Sequence, residues 1–343
     1  MRNKMILIAV LLLTVILAAC GSNGDNKGNA NKENGGSSDA EFNIQVGHIA
    51  PADHSYTKGI ELFAERVEEE TDGRVTFEIF GDGQLGGERE IVEQVQLGSL
   101  DLTIATAGVV GSFVPELSVL EMPFLFESVD KAYEVLDGDV GAELEEKIEA
   151  QGFKSFGIME NGMRHVVNNK KAIHSPDDMK GMKMRTLEND LYLETYRALG
   201  ADPTPIAFPE AYTSLEQGVV SGQDLSLGVM VTTKMYEVQN HLTENGIYYA
   251  AAPMMMNEDK FNELPEDIQQ IFIDVAEEVK HEQRQINQDM EAEQMEFLKE
   301  EGIEVVDPSE EEMEAFREAV QPVYDKLSDN FDGMVEKIQE QVE

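Results

Sequence analysis

The chain has 343 residues with 26 Lys plus Arg against 68 Asp plus Glu, a formal charge of −42, and one cysteine. So negative a field repels nucleic acid and anionic lipid headgroups, and a lone cysteine excludes an internal disulfide framework. The length exceeds what a single hydrophobic core usually serves, so two lobes are expected.

Residues 1–19 carry Arg2 and Lys4, then an apolar run from Met5 to Leu17 that is short for a bilayer span. Leu17, Ala18 and Ala19 put small residues just before Cys20. This is the grammar of a lipoprotein signal: Cys20 is expected to begin the mature chain and to carry lipid on its thiol, and two acyl chains suffice for stable anchoring. Residues 20–40 are Gly, Asn and Ser with scattered charge and no large apolar residue, a flexible tether.

From residue 42 the pattern turns globular. Phe42 to Ile49 alternates as a strand, and Ile60, Leu62, Phe63 and Val67 share one side of a helix. A strand over 74–80, a helix over 87–97 and a strand over 102–106 follow. Strands alternating with helices of about a dozen residues argue for a parallel sheet with helical crossovers. Further on come strand 153–159, a turn at Glu160-Asn161-Gly162, strand 163–168 and strand 182–186. Ser175-Pro176-Asp177-Asp178 reads as a helix start, with hydroxyl cap, proline at the first position and an acid closing the box; Gly181 ends it. Residues 266–301 hold no Gly or Pro and read as one helix of ~54 Å at the standard rise, long enough to run along both lobes.

Several catalytic and metal signatures fail. Gly81-Asp82-Gly83-Gln84-Leu85-Gly86 fits a GxGxxG dinucleotide turn, but the acid that should close the second strand is replaced by Asp101, which opens the third. The glycines are expected to serve a tight turn. His48, His54, His165, His174, His241 and His281 lack close metal-ligand spacing, and no GxSxG elbow occurs. Met254-Met255-Met256 reads as core filling. Neither cofactor nor metal is implied.

One local charge reversal stands out. Residues 164–185 hold Arg164, Lys170, Lys171, Lys180, Lys183 and Arg185 against Asp177 and Asp178. The lysines read as a solvated face. Each arginine instead sits in a predicted strand beside an apolar residue, Met163 or Met184, and needs a partner; a carboxylate is the best geometric match for a guanidinium.

Over nearly all of residues 42–330 the sequence resembles the substrate-binding proteins of TRAP transporters, the DctP-type family of organic-acid receptors. The residues that carry the likeness are Phe80 to Glu90 (FGDGQLGGERE), Leu97 to Asp101 (LGSLD), Glu121 to Phe126 (EMPFLF) and Asn161 to His165 (NGMRH). Asp178 to Arg185 (DMKGMKMR) and the run from Leu199 to Asp224 complete it.

The resemblance implies an α/β, two-lobed periplasmic-binding-protein-like fold with a long inter-lobe helix. Lobe I would comprise 41–161 plus 251–289, and lobe II 162–250 plus 290–343. A small-molecule carboxylate would bind between them, Arg185 making the principal bidentate contact and Arg164 assisting. Phe208 matches a cleft aromatic, Thr106 a polar contact at a strand end, and His54 lies in the first loop facing the cleft. TRAP membrane permease subunits would be the partners, the lipid on Cys20 holding the receptor at the outer face of the membrane. Where many relatives read Gln-Glu-Asn-Pro, this chain has Gln223-Asp224-Leu225-Ser226, so Leu225 replaces a ligand-binding asparagine. The competing class, an extracellular hydrolase or dehydrogenase on a similar scaffold, predicts product formation where a receptor predicts saturable binding alone.

Overall fold

Two long antiparallel strands form the spine of the molecule. The computed structural model describes residues 40–342; Cys20, the signal over 1–19 and the tether up to residue 39 lie outside the described residues. The chain begins with β1 (Phe42–Gly47), α1 (Ser55–Glu70), β2 (Val75–Phe80), α2 (Glu88–Gln96) and β3 (Leu102–Ile104). Next come α3 (Ala107–Val110), α4 (Val129–Leu136), α5 (Asp139–Glu149) and β4 (Phe153–Asn168). Then follow α6 (Pro176–Met179), β5 (Lys183–Thr186), α7 (Asp190–Ala198), β6 (Asp202–Pro205), α8 (Phe208–Glu216), β7 (Gly222–Ser226) and α9 (Leu227–Thr232). The last part holds β8 (His241–Asn257), α10 (Glu258–Asn262), α11 (Glu266–Glu300), β9 (Glu304–Val306), α12 (Glu310–Leu327) and α13 (Met334–Val342).

Among the described residues these strands form a nine-stranded sheet of order β2-β1-β3-β8-β4-β7-β5-β6, with β9 also on β8. The parallel pairing expected from the alternation is found toward the ends, where β1 pairs β2 and β3, and β5 pairs β6 and β7. The middle is antiparallel: β3 on β8, β8 on β4, β4 on β7. β4 runs 16 residues without a break. The turn expected at 160–162 is instead a register shift between Glu160 and Gly162, and Gly162 takes φ +98°. A glycine that can turn a chain can equally absorb a bulge, and only the partner strand decides which.

That partner, β8, escaped the sequence reading. Its Tyr248-Tyr249-Ala250-Ala251-Ala252-Pro253-Met254 stretch is buried throughout, so it shows no alternation, and it contains a proline. Pro253 is accommodated opposite Ile158, where β4 shifts register again.

The apolar core is divided. One cluster joins Ile44, Val46, Ile60, Phe63 and Phe272 with Met254 and Met256; another joins Val167, Ala211, Leu215, Leu225, Leu242 and Leu298. The three methionines thus fill core, Met255 on the opposite face of the strand from its neighbours. A third, larger cluster draws on β4, β5 and β8 and includes Val135, Leu144, Tyr192, Met334, Val335 and Ile338. Through it α13 packs on α4 and α5. The same cluster holds Phe316, Val320, Val323 and Phe331, so the C-terminal helix packs both on its chain neighbours and on helices from residues 129–149.

α11 spans 35 residues and lies against α1, β4 and α9. Its middle buries a polar stripe: Lys280, Gln283, Arg284 and Asn287. Gln283 accepts from the Glu160 N–H at 2.9 Å and donates to the Glu160 carbonyl at 2.7 Å, tying the helix to β4 at the bulge. Asn287 and Gln288 donate to the Glu160 carboxylate, which also accepts from Tyr133 and Tyr249. Bulged strands leave backbone groups unpaired, and this polar stripe meets part of that need.

Candidate anion-binding cleft

The arginines arise from strands whose pairing fixes where they point. Arg164 on β4 sits opposite Ser226 of β7 and is 4 % exposed. Its Nε donates to the Asp224 side chain and its Nη2 to the Asp224 carbonyl at 2.7 Å; the ring of Tyr192 lies 6.0 Å away. Burial opposes the Arg164 charge, but Asp224, Tyr192 and Glu121 more than compensate, and the pKa ends above its ordinary value. Asp224 also accepts from Tyr196 at 2.7 Å. This cation is neutralised from within the protein.

Arg185 on β5 differs. It is 3 % exposed, yet its one hydrogen bond to the described residues runs from Nε to the Ile206 carbonyl at 2.8 Å, and no carboxylate among them pairs with it. Phe208, at the start of α8, presents its ring 5.7 Å from the guanidinium. Burial and the Arg164 charge push the Arg185 pKa down to about 10, with Asp224 and Glu88 pulling the other way, so it stays charged at neutral pH. A buried guanidinium held without a counter-ion is costly, and it is tolerated where an anion is to be bound.

Two small hollows, each of about 20 Å³, lie beside these groups and share Glu88 and Phe208. One is lined by Arg185, Leu187, Ile206, Phe208 and Glu88, the other by His54, Tyr56, Thr106, Asn161, Phe208 and Glu88. The structure thus brings Arg185, Phe208, Thr106 and His54 together. Thr106, as N-cap of α3, donates to Glu88 from both its N–H and its hydroxyl, 3.0 Å each. His54 caps α1: its Nδ1 accepts from the Tyr56 N–H at 3.1 Å. Burial lowers the His54 pKa to about 3, so the ring is neutral with its proton on Nε2.

Leu225 is not brought there. Along β7 the side chains alternate: Asp224 meets Arg164, Ser226 donates to Asn161, and Leu225 points the other way into the cluster with Val167, Ala211 and Leu215. At 1 % exposure it lines neither hollow. Its expected contact with ligand is corrected to core packing, because the strand period puts residue 225 on the opposite face from 224 and 226.

Glu88, Tyr56, Asp224 and Glu121 were missed as site residues. Glu88 lay inside a quoted glycine motif, and Asp224 ended another, but nothing in their spacing shows that the fold buries them beside the arginines. Glu121 accepts from Tyr192 at 2.5 Å and from the Gly108 N–H at 3.1 Å, and burial raises its pKa to about 7. The glycine turn proves structural: Gly83 takes φ +65° and Gly86 φ +116°, and the Glu90 carboxylate accepts from the Gly87 N–H to start α2. Asp101 accepts from the Gln45 N–H at the sheet. A larger groove near Ser118 and Asn189 contains Glu188 and Asp190 and no lysine or arginine, which disfavours an anion there. Among the described residues no helix is long and apolar enough to cross a membrane, and no cluster of His, Cys, Asp and Glu is placed to hold a metal.

A sheet shared by two lobes, with an unpaired buried cation beside a hollow, defines a receptor for small anions. Residues 46–330 match the DctP family profile, described as bacterial extracellular solute-binding protein, family 7, and the chain belongs to that family. It is 44 % identical over 230 residues, 67 % of this chain and 69 % of the other, to a solute-binding protein of Verminephrobacter eiseniae. Among solved structures, a TRAP periplasmic solute-binding protein of Polaromonas sp. JS666 bound to D-erythronate is similar at TM-score 0.84 and 36 % identity, over 87 % of this chain and 98 % of that one. One from Sulfurospirillum deleyianum with bound succinate matches at TM-score 0.83 and 30 % identity, over 88 % and 99 %.

Proposed function

We propose that this receptor captures an organic-acid anion between its lobes, with the carboxylate on Arg185, and hands it to TRAP membrane permease subunits driven by an ion gradient. The observation that carries the reading is the buried Arg185 guanidinium with no internal counter-ion. Arg164 assists through Nη1, which has no partner among the described residues, while Asp224 holds the rest of that side chain. Phe208 covers the guanidinium face. Since Arg185, Glu88, His54, Tyr56 and Thr106 are all at most 6 % exposed, the lobes must part for a ligand to enter and close over it. Binding occurs without turnover. Lipidation of Cys20 tethers the receptor to the outer face of the membrane, with residues 20–40 as the leash.

A thermal-shift screen against carboxylates tests this, because a ligand at 100 times its dissociation constant adds about 2.7 kcal/mol to the native state. Saturable stabilisation by an organic acid recovered chemically unchanged is expected. Failure of every carboxylate to stabilise the protein, or conversion of one to product, would refute it.

A further inference from the structure

The two hollows differ in chemistry. Beside Arg185 there is one unpaired cation; the second hollow has none. Its charged group is Glu88, whose Oε1 accepts both Thr106 donors and whose Oε2 accepts nothing among the described residues. Burial raises the Glu88 pKa, while Thr106 and the two arginines oppose the shift. Two further polar atoms there are buried without a hydrogen-bond partner: His54 Nε2 and Tyr56 Oη. Asn161 lies near the former and Thr106 near the latter, close enough to influence protonation, but Asn161 Oδ1 already accepts from Ser226 and the Thr106 hydroxyl already serves Glu88. Since His54 Nδ1 accepts a backbone N–H, Nε2 is a donor; Tyr56 Oη both donates and accepts; Glu88 Oε2 accepts.

Buried polar atoms are rarely left unpaired, so a donor, an amphoteric hydroxyl and an acceptor gathered in one hollow point to a complementary ligand surface. A ligand hydroxyl satisfies all three kinds of group. A second carboxylate satisfies only the donors and sets its charge beside Glu88 in a hollow whose own lining holds no lysine or arginine.

Resting on the receptor reading above, we infer that this cleft selects monocarboxylates with a hydroxylated tail, the sugar acids, and that Glu88 is the residue that rejects dicarboxylates. The carboxylate sits on Arg185 in the first hollow, and the tail passes Phe208 and Glu88 into the second. Tyr56 and His54 complete the hydroxyl contacts.

Calorimetry on the full chain in detergent decides it, using matched series: erythronate, tartrate, succinate and butyrate at four carbons, and gluconate, glucarate, adipate and hexanoate at six. A sugar acid should bind at least ~10-fold tighter than its length-matched dicarboxylates and its hydroxyl-free acid. Equal or tighter binding of succinate, adipate, tartrate or glucarate would overturn the inference and leave the receptor reading standing. Binding of none of the eight, nor of any carboxylate in the wider screen, would overturn both. Glu88→Gln should narrow the sugar-acid to dicarboxylate ratio at least ~10-fold, and an unchanged ratio in a folded variant would remove Glu88 from the role. Tyr56→Phe keeps the ring and removes the hydroxyl, and should weaken the sugar acid ~10-fold while leaving the constant for the length-matched hydroxyl-free acid unmoved. Parallel losses for both ligand types would reduce Tyr56 to a structural part.

Discussion

Replacing Arg185 by methionine separates binding from stability in a way that few substitutions allow. In the unliganded protein the guanidinium is 3 % exposed, has one hydrogen bond, to the Ile206 carbonyl, and faces the like charge of Arg164. Its pKa is lowered from 12.5 to about 10. A base with a depressed folded pKa is bound more tightly by protons in the unfolded chain, so the charged form opposes folding at every pH below about 10, and stability recovers only as pH rises from there toward 12.5. At neutral pH that opposition is on the order of 3 kcal/mol, from ~1.4 kcal/mol per pKa unit. Against it stand the lost bond to Ile206, ~1 kcal/mol, and imperfect repacking of ~1 kcal/mol. Arg185→Met should therefore leave the unliganded protein as stable as wild type or more stable by ~1 kcal/mol. Its affinity for the organic acid should fall by at least ~2 kcal/mol, about thirtyfold, as the ligand carboxylate loses its fork of donors. Urea denaturation without ligand and calorimetry with it give the two numbers. A variant destabilised by ~2 kcal/mol or more would mean that the guanidinium holds the fold together, and full affinity in a folded variant would move the carboxylate contact elsewhere.

Other outcomes follow from the same geometry. Leu225→Asn places an amide among Val167, Ala211 and Leu215, and should cost ~1–3 kcal/mol in urea denaturation while leaving the ranking of ligands unchanged; a changed ranking would return residue 225 to the cleft. Glu121 and Glu291 both have pKa values raised to about 7, chiefly by burial, so the native state holds more protons than the unfolded chain between about 4.5 and 7 and stability should fall as pH rises through that window. Glu121→Gln should flatten part of the fall, Glu291 retaining the rest, and denaturation at pH 5 and pH 7 with equal slopes in variant and wild type would refute the assignment. Cys20→Ser should release the protein from the membrane with its fold intact, and membrane retention that survives high salt would rule out the lipid anchor. Gly162→Ala forces a side chain onto φ +98° with its Cβ 3.1 Å from Asn287 Nδ2, and should destabilise by ~1–3 kcal/mol; a neutral result in urea denaturation would show that the bulge at 160–162 relaxes freely.

Much of the local structure could be read from residues that speak for themselves. Ser175 to Asp178 forms the expected capping box, Gly181 takes φ +70° after α6, and the helix over 266–301 ends within a residue of its forecast limit. These features depend on neighbours in the chain, so periodicity and capping chemistry expose them. β8 and the union of 153–168 into one strand were hidden because a strand buried on both faces has no period, and because a glycine at a bulge looks like a glycine at a turn.

The site divides along the same line. That arginines at 164 and 185 in apolar strands need anionic partners followed from the sequence, since a guanidinium keeps its charge wherever it is placed. Which one finds its partner inside the protein did not follow. Asp224 lies 60 residues from Arg164, and only the antiparallel pairing of β4 with β7 brings it there, leaving Arg185 alone. The same pairing turns Leu225 into core, and the packing of α2 against α3 puts Glu88 under Thr106. Residue types set which charges must be neutralised; the register of distant strands, where a shift of one residue reverses every side chain, decides which charge is left for the ligand.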